Sequence, residues 1–529
     1  MMHSLHGRNF VAGSLRDSVR SFPASSPLDG RELPGRFSMA SLDDVEAAMV
    51  AAAAAAPVFG GSSGAVRATL LETIAAGLME LGDALIERAN AETALPPARL
   101  VGERARTCGQ LQLFATAARD GSWVDARIDR RQPDRQPLPR ADLRRMKRPL
   151  GPVVVFGSSN FPLAFSVAGG DTASALCTGN PVVVKAHRAH PGTSELVAGV
   201  IQRAVETCGL PPGTFSMLHG EGSVIGTALV RHPACRAVGF TGSRAAGRAL
   251  CDAAAARPDP IPVFAEMSSL NPVFVLPGAL AARGGEIAKA FVASMTLGVG
   301  QFCTKPGLVF AVESGDLAGF RTALGAAIAA AAPGSMLSPE IRAAFENGRE
   351  ALLNVAGTAI LGRAATAADP AKTEAAGLVA VTDGATFLAH ERLAEEVFGP
   401  WSLVVVVKTA ADLRTMARHL DGQLTATMHG TAEDLTAAGD LLELLGEKAG
   451  RVIVNGFPTG VEVCHAMQHG GPWPATSDAR FTSVGTAALE RFVRPVCYQD
   501  VPDALLPAAL QDANPLGIER IVEGVRGRQ

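Results

Sequence analysis

The chain has 529 residues, of which 47% are hydrophobic and 19% charged, with a formal net charge of −3. That length exceeds what one hydrophobic core serves, so two or three domains are expected, and the near-neutral charge lacks the basic field of a nucleic-acid binder. No run of about 18 apolar residues marks a membrane span, the start MMHSLHGRNF lacks a signal-peptide core, and eight scattered cysteines with no CxxC or Cys/His ligand spacing argue for reduced thiols in a cytoplasmic protein without a metal site.

In chain order, residues 42 to 119 read as helical. LDDVEAAMVAAAAAA opens on acids suited to a first turn, and AVRATLLETIAAGLMELGDALIERANAE repeats apolar residues at three- and four-residue steps. Residues 127 to 148, RIDRRQPDRQPLPRADLRRMKR, are basic and proline-rich: either a solvated linker or an extended edge arm that pairs with another subunit. From 151 short β-branched runs (PVVVFGSSN, PVVVKAHRAHPG, CRAVGFTGS, PVFAEMS, NPVFVLPG) alternate with helical segments such as TSELVAGVIQRAVETCG. That alternation predicts an α/β fold with a parallel, doubly wound sheet. A second series follows Cys303, in PGLVFAVE, WSLVVVVKTA and GRVIVNGF, and predicts a second domain of similar build.

Several strand ends carry chemistry. Lys185 closes VVVK, where an ammonium meets ribose hydroxyls, and Arg188 three residues on suits a 2′-phosphate. Thr241, Gly242 and Ser243 make a strand-to-helix turn in which Ser243 is a good N-cap and free N–H groups favour a pyrophosphate. GEGSVIG, residues 220 to 226, is one residue too long for a dinucleotide fingerprint. Cys303 sits in GVGQFCTKPG; a free thiol is only about 3% thiolate at pH 7 and needs a base or a positive field. Lys305 is close enough in sequence to supply a field, and Glu266, after VFA, is a candidate base. Asn160, in SSNFP, is either a turn residue or an amide donor to a developing oxyanion.

Taken together, Asn160, Lys185, FTGSRAAG, Glu266, GQFC and EEVFGP occur in an order and spacing that resemble the aldehyde dehydrogenase superfamily over nearly the whole chain. Within it, GSSNFPLAFSVAGGDTASAL, KAHRAHPGTSE and the tail RFVRPVCYQDVPDALLPAALQDANPLGI look most like NADP-preferring dehydrogenases of 2-oxoglutarate semialdehyde (2,5-dioxovalerate). The resemblance implies two Rossmann-like lobes with a β-strand oligomerisation flap. Residues 1–124 and 150–266 would bind NAD(P), 267–482 would be catalytic, and 125–149 with 483–529 would form the flap and tail. It implies Cys303 as nucleophile forming a thiohemiacetal and then a thioester, Asn160 and the Cys303 N–H on the oxyanion, and Glu266 activating the hydrolytic water. Lys185 and Arg188 would hold the adenine ribose side, Thr241, Gly242 and Ser243 the pyrophosphate, and Glu396 and Phe398 the nicotinamide end of NADP, or of NAD.

The sequence departs from the commonest family motifs at EMSSL, where two glycines are serines, and at KAHR, where an acid is replaced by Arg188. Arg104 or Arg106, with Phe165, would meet an acidic substrate. Fatty or other semialdehyde substrates, a CoA-acylating relative and a non-catalytic homologue remain as alternatives. A homodimer or homotetramer joined through strands at about 125–149 and 483–498 is expected.

Overall fold

The computed structural model describes residues 5–528. Two seven-stranded sheets organise the chain. In the first, the strands run from one edge as Val263–Glu266, Ala237–Thr241, Val153–Phe156, Val182–Lys185, Phe215–Leu218, Asn9–Val11 and Ser14–Arg16. The first five are parallel, and the amino-terminal hairpin adds antiparallel at the far edge. VVVF and VVVK are buried throughout, as β-branched strands covered on both faces must be. The chain winds outward from Val153–Phe156 and then returns to the other side of it. This places Phe156, Lys185, Thr241 and Glu266 along the carboxyl edge, where ligands bind at the reversal of a doubly wound sheet.

Helices Leu42–Gly60, Gly64–Glu80, Gly82–Thr93 and Pro97–Asp120 fill the stretch read as helical. The first is capped by Ser41 and Asp44 in a reciprocal pair.

The second sheet runs Ala359–Arg363, Leu378–Asp383, Trp401–Val407, Leu308–Val312, Val273–Val275, Gln423–His429 and Ala449–Val454, with only the first strand antiparallel. It does not begin after Cys303: Val273–Val275 precedes the thiol and lies inside this sheet, between Leu308–Val312 and Gln423–His429. Gln423–His429 (QLTATMH) is fully buried despite its polar residues, which gave no apolar run to read. Gln423 Oε1 accepts from the Leu270 N–H at 2.7 Å, and Thr425 Oγ1 donates to Asn271 at 2.9 Å, so burial is offset by hydrogen bonds.

The basic arm forms strands Arg127–Asp129 and Leu143–Pro149 of a five-stranded sheet completed by Val493–Gln499, Arg520–Val522 and Val525–Gly527 of the same chain. The carboxyl strand starts at Val493 rather than near 483; residues Thr486–Phe492 form a 3₁₀ turn. The arm's charge is matched from the tail: Arg140 pairs with Glu523 at 2.6 Å, Arg130 with Asp512 at 3.0 Å and Arg144 with Asp503 at 3.0 Å. No helix among the described residues is long and apolar enough to cross a membrane.

Candidate active site

The loop that carries Cys303 is held open by backbone conformation. Gly298, Val299 and Gly300 follow one another in the left-handed region, at φ of 57°, 59° and 67°. For a β-branched residue such as Val299 this is strained. Gly300 is required for another reason: a Cβ there would lie 2.3 Å from the Gly399 carbonyl carbon, so the thiol loop and EEVFGP touch backbone to backbone. Asn271 Nδ2 donates to the carbonyls of Cys303 at 2.8 Å and Lys305 at 3.0 Å. The Cys303 N–H has no acceptor among the described residues.

Around the half-buried thiol the structure brings together residues far apart in sequence. Glu266, at the end of its strand, is 4% exposed, and its Oε2 accepts from the Ser483 hydroxyl at 2.7 Å. His469, 1% exposed, lies with Nε2 3.0 Å from Glu266 Oε1 and 3.4 Å from Cys303 Sγ. An ionised carboxylate only accepts, so a proton on Nε2 is the tautomer that suits this ion-pair contact; it is not aligned as a hydrogen bond, and Glu266 Oε1 and His469 Nδ1 are both left without a hydrogen-bond partner. Burial opposes ionisation of Glu266, but the His469 ring and the Ser483 hydroxyl outweigh it and hold its pKa below the ordinary carboxylate value. Burial, then the Glu266 charge, raises the Cys303 thiol well above its ordinary value, with Arg106 acting against them. The resting sulfur is therefore protonated, with a proton acceptor beside it.

His469 and Ser483 were not singled out from sequence. They arrive because residues 475 to 477 run along the Val263–Glu266 edge, with Met267 N–H donating to Ala475 O at 2.8 Å and Ser477 N–H to Ala265 O at 3.0 Å. The only sequence cue is the Gly/Pro-rich HGGPWP after the GRVIVNGF strand.

Asn160, 7% exposed, donates through Nδ2 to the Gln301 carbonyl at 3.1 Å, two residues before the thiol. Its carbonyl accepts from Arg99 Nη2 at 2.7 Å, and the Arg99 guanidinium sits over the rings of Phe161 and Phe302. Arg99, Glu103 and Arg106 share one face of helix Pro97–Asp120, at the i, i+4, i+7 spacing that aligns side chains. Glu103 Oε1 accepts from the N–H groups of Leu163 and Ala164, fixing the segment that follows Asn160. Arg106 stacks 5.1 Å from the Phe165 centroid, and it feels the charges of Glu103, Cys303 and Glu266. It has no hydrogen bond or ion pair among the described residues. Phe165 in turn lies 6.2 Å from the His469 ring. Arg104 turns away: its Nη1 donates to the Gly82 carbonyl at 2.7 Å, which removes it as a candidate for this site. Two residues along a helix is about 200° of rotation, so both arginines never face one pocket.

Lys305 does not serve the thiol either. Its buried ammonium donates to the carbonyls of Val397 at 3.1 Å and Trp401 at 3.0 Å, clamping the EEVFGPW segment against the thiol loop. Glu396 and Phe398, both half-buried, flank that clamp. Burial raises the Glu396 pKa to about 7 against the pull of Lys305 and Ser268.

On the first sheet's carboxyl edge, Lys185 is 8% exposed and its ammonium has no hydrogen-bond partner among the described residues, its pKa lowered to about 8 by burial and then by Arg188. Arg188 is exposed, 5.9 Å from the Phe22 ring centroid, and unpaired. Ser243 caps helix Arg244–Ala255, accepting from Ala246 N–H at 3.3 Å. Beside it Thr241 is half-buried and Gly242 and Ser243 are exposed, with the Gly242 N–H donating to Glu266 O at 3.0 Å. The serines of EMSSL have work of their own: Ser268 Oγ accepts from Arg244 N–H at 3.3 Å, and Ser269 Oγ bonds Gln423 Oε1 at 3.0 Å. GEGSVIG forms a π-helical turn in which a Cβ on Gly226 would meet the Phe156 ring at 2.7 Å.

A protein-family model, the aldehyde dehydrogenase family, matches residues 15–492. Over 524 residues the chain is 54% identical to alpha-ketoglutaric semialdehyde dehydrogenase 2 of Azospirillum brasilense, covering 98% of each chain. Over 526 residues it is 47% identical to alpha-ketoglutaric semialdehyde dehydrogenase of Acinetobacter baylyi, covering 99% of each. A crystal structure of a betaine aldehyde dehydrogenase double mutant from Staphylococcus aureus, in complex with NAD+, superposes with a TM-score of 0.81 at 20% identity, over 95% of this chain and 98% of that one.

Proposed function

The chain belongs to the aldehyde dehydrogenase family and oxidises aldehydes, and from that premise we propose that it converts 2-oxoglutarate semialdehyde to 2-oxoglutarate with NADP. The observation that carries the substrate is Arg106: an unpaired guanidinium beside the thiol, stacked on Phe165, in a chain 54% identical to an alpha-ketoglutaric semialdehyde dehydrogenase. A guanidinium fork grips a carboxylate with two hydrogen bonds, which fixes the far end of the substrate and leaves its aldehyde at Cys303.

The family's dinucleotide fits the groups left free on the first sheet's edge. Lys185 offers a buried ammonium without a protein partner, and at the helix start the N–H groups of Ser243 and Ala245 have no acceptor among the described residues. Thr241, Gly242 and Ser243 line the pyrophosphate end, and Glu396 and Phe398 the nicotinamide end. Arg188 faces solvent, where its guanidinium suits a 2′-phosphate, although the Glu340 carboxylate lies close enough to feel its charge. When bound, the nicotinamide ring accepts hydride from the substrate carbon.

The geometry supports the following part for the protein's own residues. Cys303 loses its proton to the Glu266–His469 pair, and the His469 N–H, in reach of both Sγ and Oε1, stabilises the anion formed. Sulfur adds to the aldehyde carbon, and the oxygen takes up charge between the Cys303 N–H and the Asn160 amide; losing one such donor costs about 3 kcal/mol of barrier. After hydride loss the thioester remains on Cys303. Glu266, steadied by Ser483 and His469 and having passed the thiol proton to solvent, then draws a proton from the water that adds to the thioester; the C–S bond breaks, the acid leaves and the thiolate regains a proton.

Steady-state kinetics tests the reading: 2-oxoglutarate, succinic and glutaric semialdehydes and straight-chain aldehydes, each with NAD and with NADP, with CoA added in parallel. The highest kcat/KM is expected for 2-oxoglutarate semialdehyde with NADP and a free acid as product. Preference for an unbranched fatty aldehyde, or an acyl-CoA product, overturns it.

A further inference from the structure

The sequence holds no metal-ligand spacing, yet folding brings Cys303, Glu266 and His469 together with one ligand atom each, all within 4.8 Å of one another. We propose that this trio is a reversible binding site for a thiophilic divalent cation, zinc above all, and that the cation inhibits the enzyme by taking its nucleophile. Zinc prefers four ligands at roughly 2.0 to 2.3 Å from sulfur, nitrogen and oxygen, which sets ligand–ligand edges of roughly 3.4 Å. Two of the three edges are 3.4 Å for Sγ to Nε2 and 3.0 Å for Nε2 to Oε1, and the third, Sγ to the Glu266 carboxylate, is within 4.8 Å, so side-chain adjustment at Glu266 and Cys303 closes a cation between them. A thiolate and a carboxylate also cancel the charge of a dication, removing the repulsion between two anions held side by side. The half-buried sulfur leaves the fourth position to water on the substrate side.

The same geometry argues that the site is weak enough to empty. A ligating histidine ordinarily donates its other N–H to a carbonyl or carboxylate. Here Nε2 gives up its proton to bind, the ring proton moves to Nδ1, and Nδ1 has no partner. The nearby Arg106 charge works in the same direction. In the exchange the Cys303 S–H bond breaks, an S–Zn bond forms, the thiol proton passes to bulk water and the cation sheds aquo ligands; nothing is oxidised or reduced.

Calorimetry with zinc chloride on the full chain without substrate, in parallel with zinc protection of Cys303 from iodoacetamide, tests binding apart from any choice of aldehyde, and inhibition is read with any aldehyde the enzyme turns over. One zinc per chain, protection of Cys303, and inhibition that follows occupancy and reverses with EDTA are expected. His469→Ala is expected to weaken zinc by at least ~10-fold, the smaller end of what even partners that only orient a ligand are worth. Cys303→Ala, which trims one loop side chain, is expected to abolish the site. Zinc held as tightly by either folded variant, or inhibition without protection of Cys303, overturns the proposal.

Discussion

Lys185 and Lys305 invite comparison. Both are buried, at 8% and 1% exposure, and both have pKa values lowered to about 8 with burial the larger cause. Yet Lys305 spends its donors on two backbone carbonyls and ties two loops together, while Lys185 spends none on protein. Burial and a shifted pKa are common to both; what differs is that one ammonium is tied to protein carbonyls and the other is not. The same contrast divides Arg104, bonded to Gly82, from Arg106, bonded to nothing.

The arginine pair gives the largest expected effect. Truncating one partner of a desolvated charge pair costs about 2–5 kcal/mol. Arg106→Ala is thus expected to lower kcat/KM for 2-oxoglutarate semialdehyde by roughly 10²-fold or more, and for a straight-chain aldehyde by less, since there only the help its charge gives the Cys303 thiolate is lost. Arg104→Ala is expected to leave both turnovers close to wild type. Equal losses in the two variants break the contrast at its strongest point.

The lysines come next. Lys305→Met leaves two buried carbonyls without a donor, each worth about 1–3 kcal/mol, so a clear drop in the urea unfolding midpoint is expected. Lys185→Met removes no protein hydrogen bond; its midpoint is expected to hold while the KM for NADP rises about 10-fold, the worth of one hydrogen bond to a charged group. A smaller and more selective change is expected at Arg188. Arg188→Ala is expected to cut the preference for NADP over NAD by about 10-fold, the loss of one charge-assisted contact, with NAD kinetics nearly unmoved. A parallel loss with both cofactors places Arg188 outside the 2′-phosphate's reach.

What the sequence made legible follows a pattern. Cys303, Glu266, Asn160, Lys185 and Ser243 sit in or beside strand ends and turns, where local residue pattern and family motif coincide, and β-branched runs made part of each Rossmann-like sheet readable, but not the amino-terminal hairpin, Phe215–Leu218, Ala359–Arg363 or Leu378–Asp383. His469 and Ser483 were not, because each reaches Glu266 across more than 200 residues through a loop laid along a sheet edge. Gln423–His429 hid because its burial rests on hydrogen bonds rather than apolar side chains. The choice between Arg104 and Arg106 needed the helix phase against Gly82, which spacing alone leaves open.

The finest test of the contrast is electrostatic. With a pKa of about 8, Lys185 loses its charge as pH rises through that value in the free enzyme, so kcat/KM for the cofactor is expected to fall on the alkaline side. Lys185→Met is expected to lack that limb. His187, His190 and His219 lie close enough to feel the ammonium, but burial keeps each below the ordinary imidazole value, so they are neutral throughout this range and add no limb of their own. The second cause of the shift is the like charge of Arg188. Removing it raises the Lys185 pKa, so Arg188→Ala, measured with NAD to leave the 2′-phosphate out, is expected to move the limb to higher pH. Because Arg188 is exposed and screened, the move is expected to be less than about one pH unit, and added salt reproduces part of it in the wild type. Burial, the larger cause, is untouched by either change, so the limb stays well below the ordinary lysine value; a limb that returns to that value would show that charge, not desolvation, sets this lysine apart.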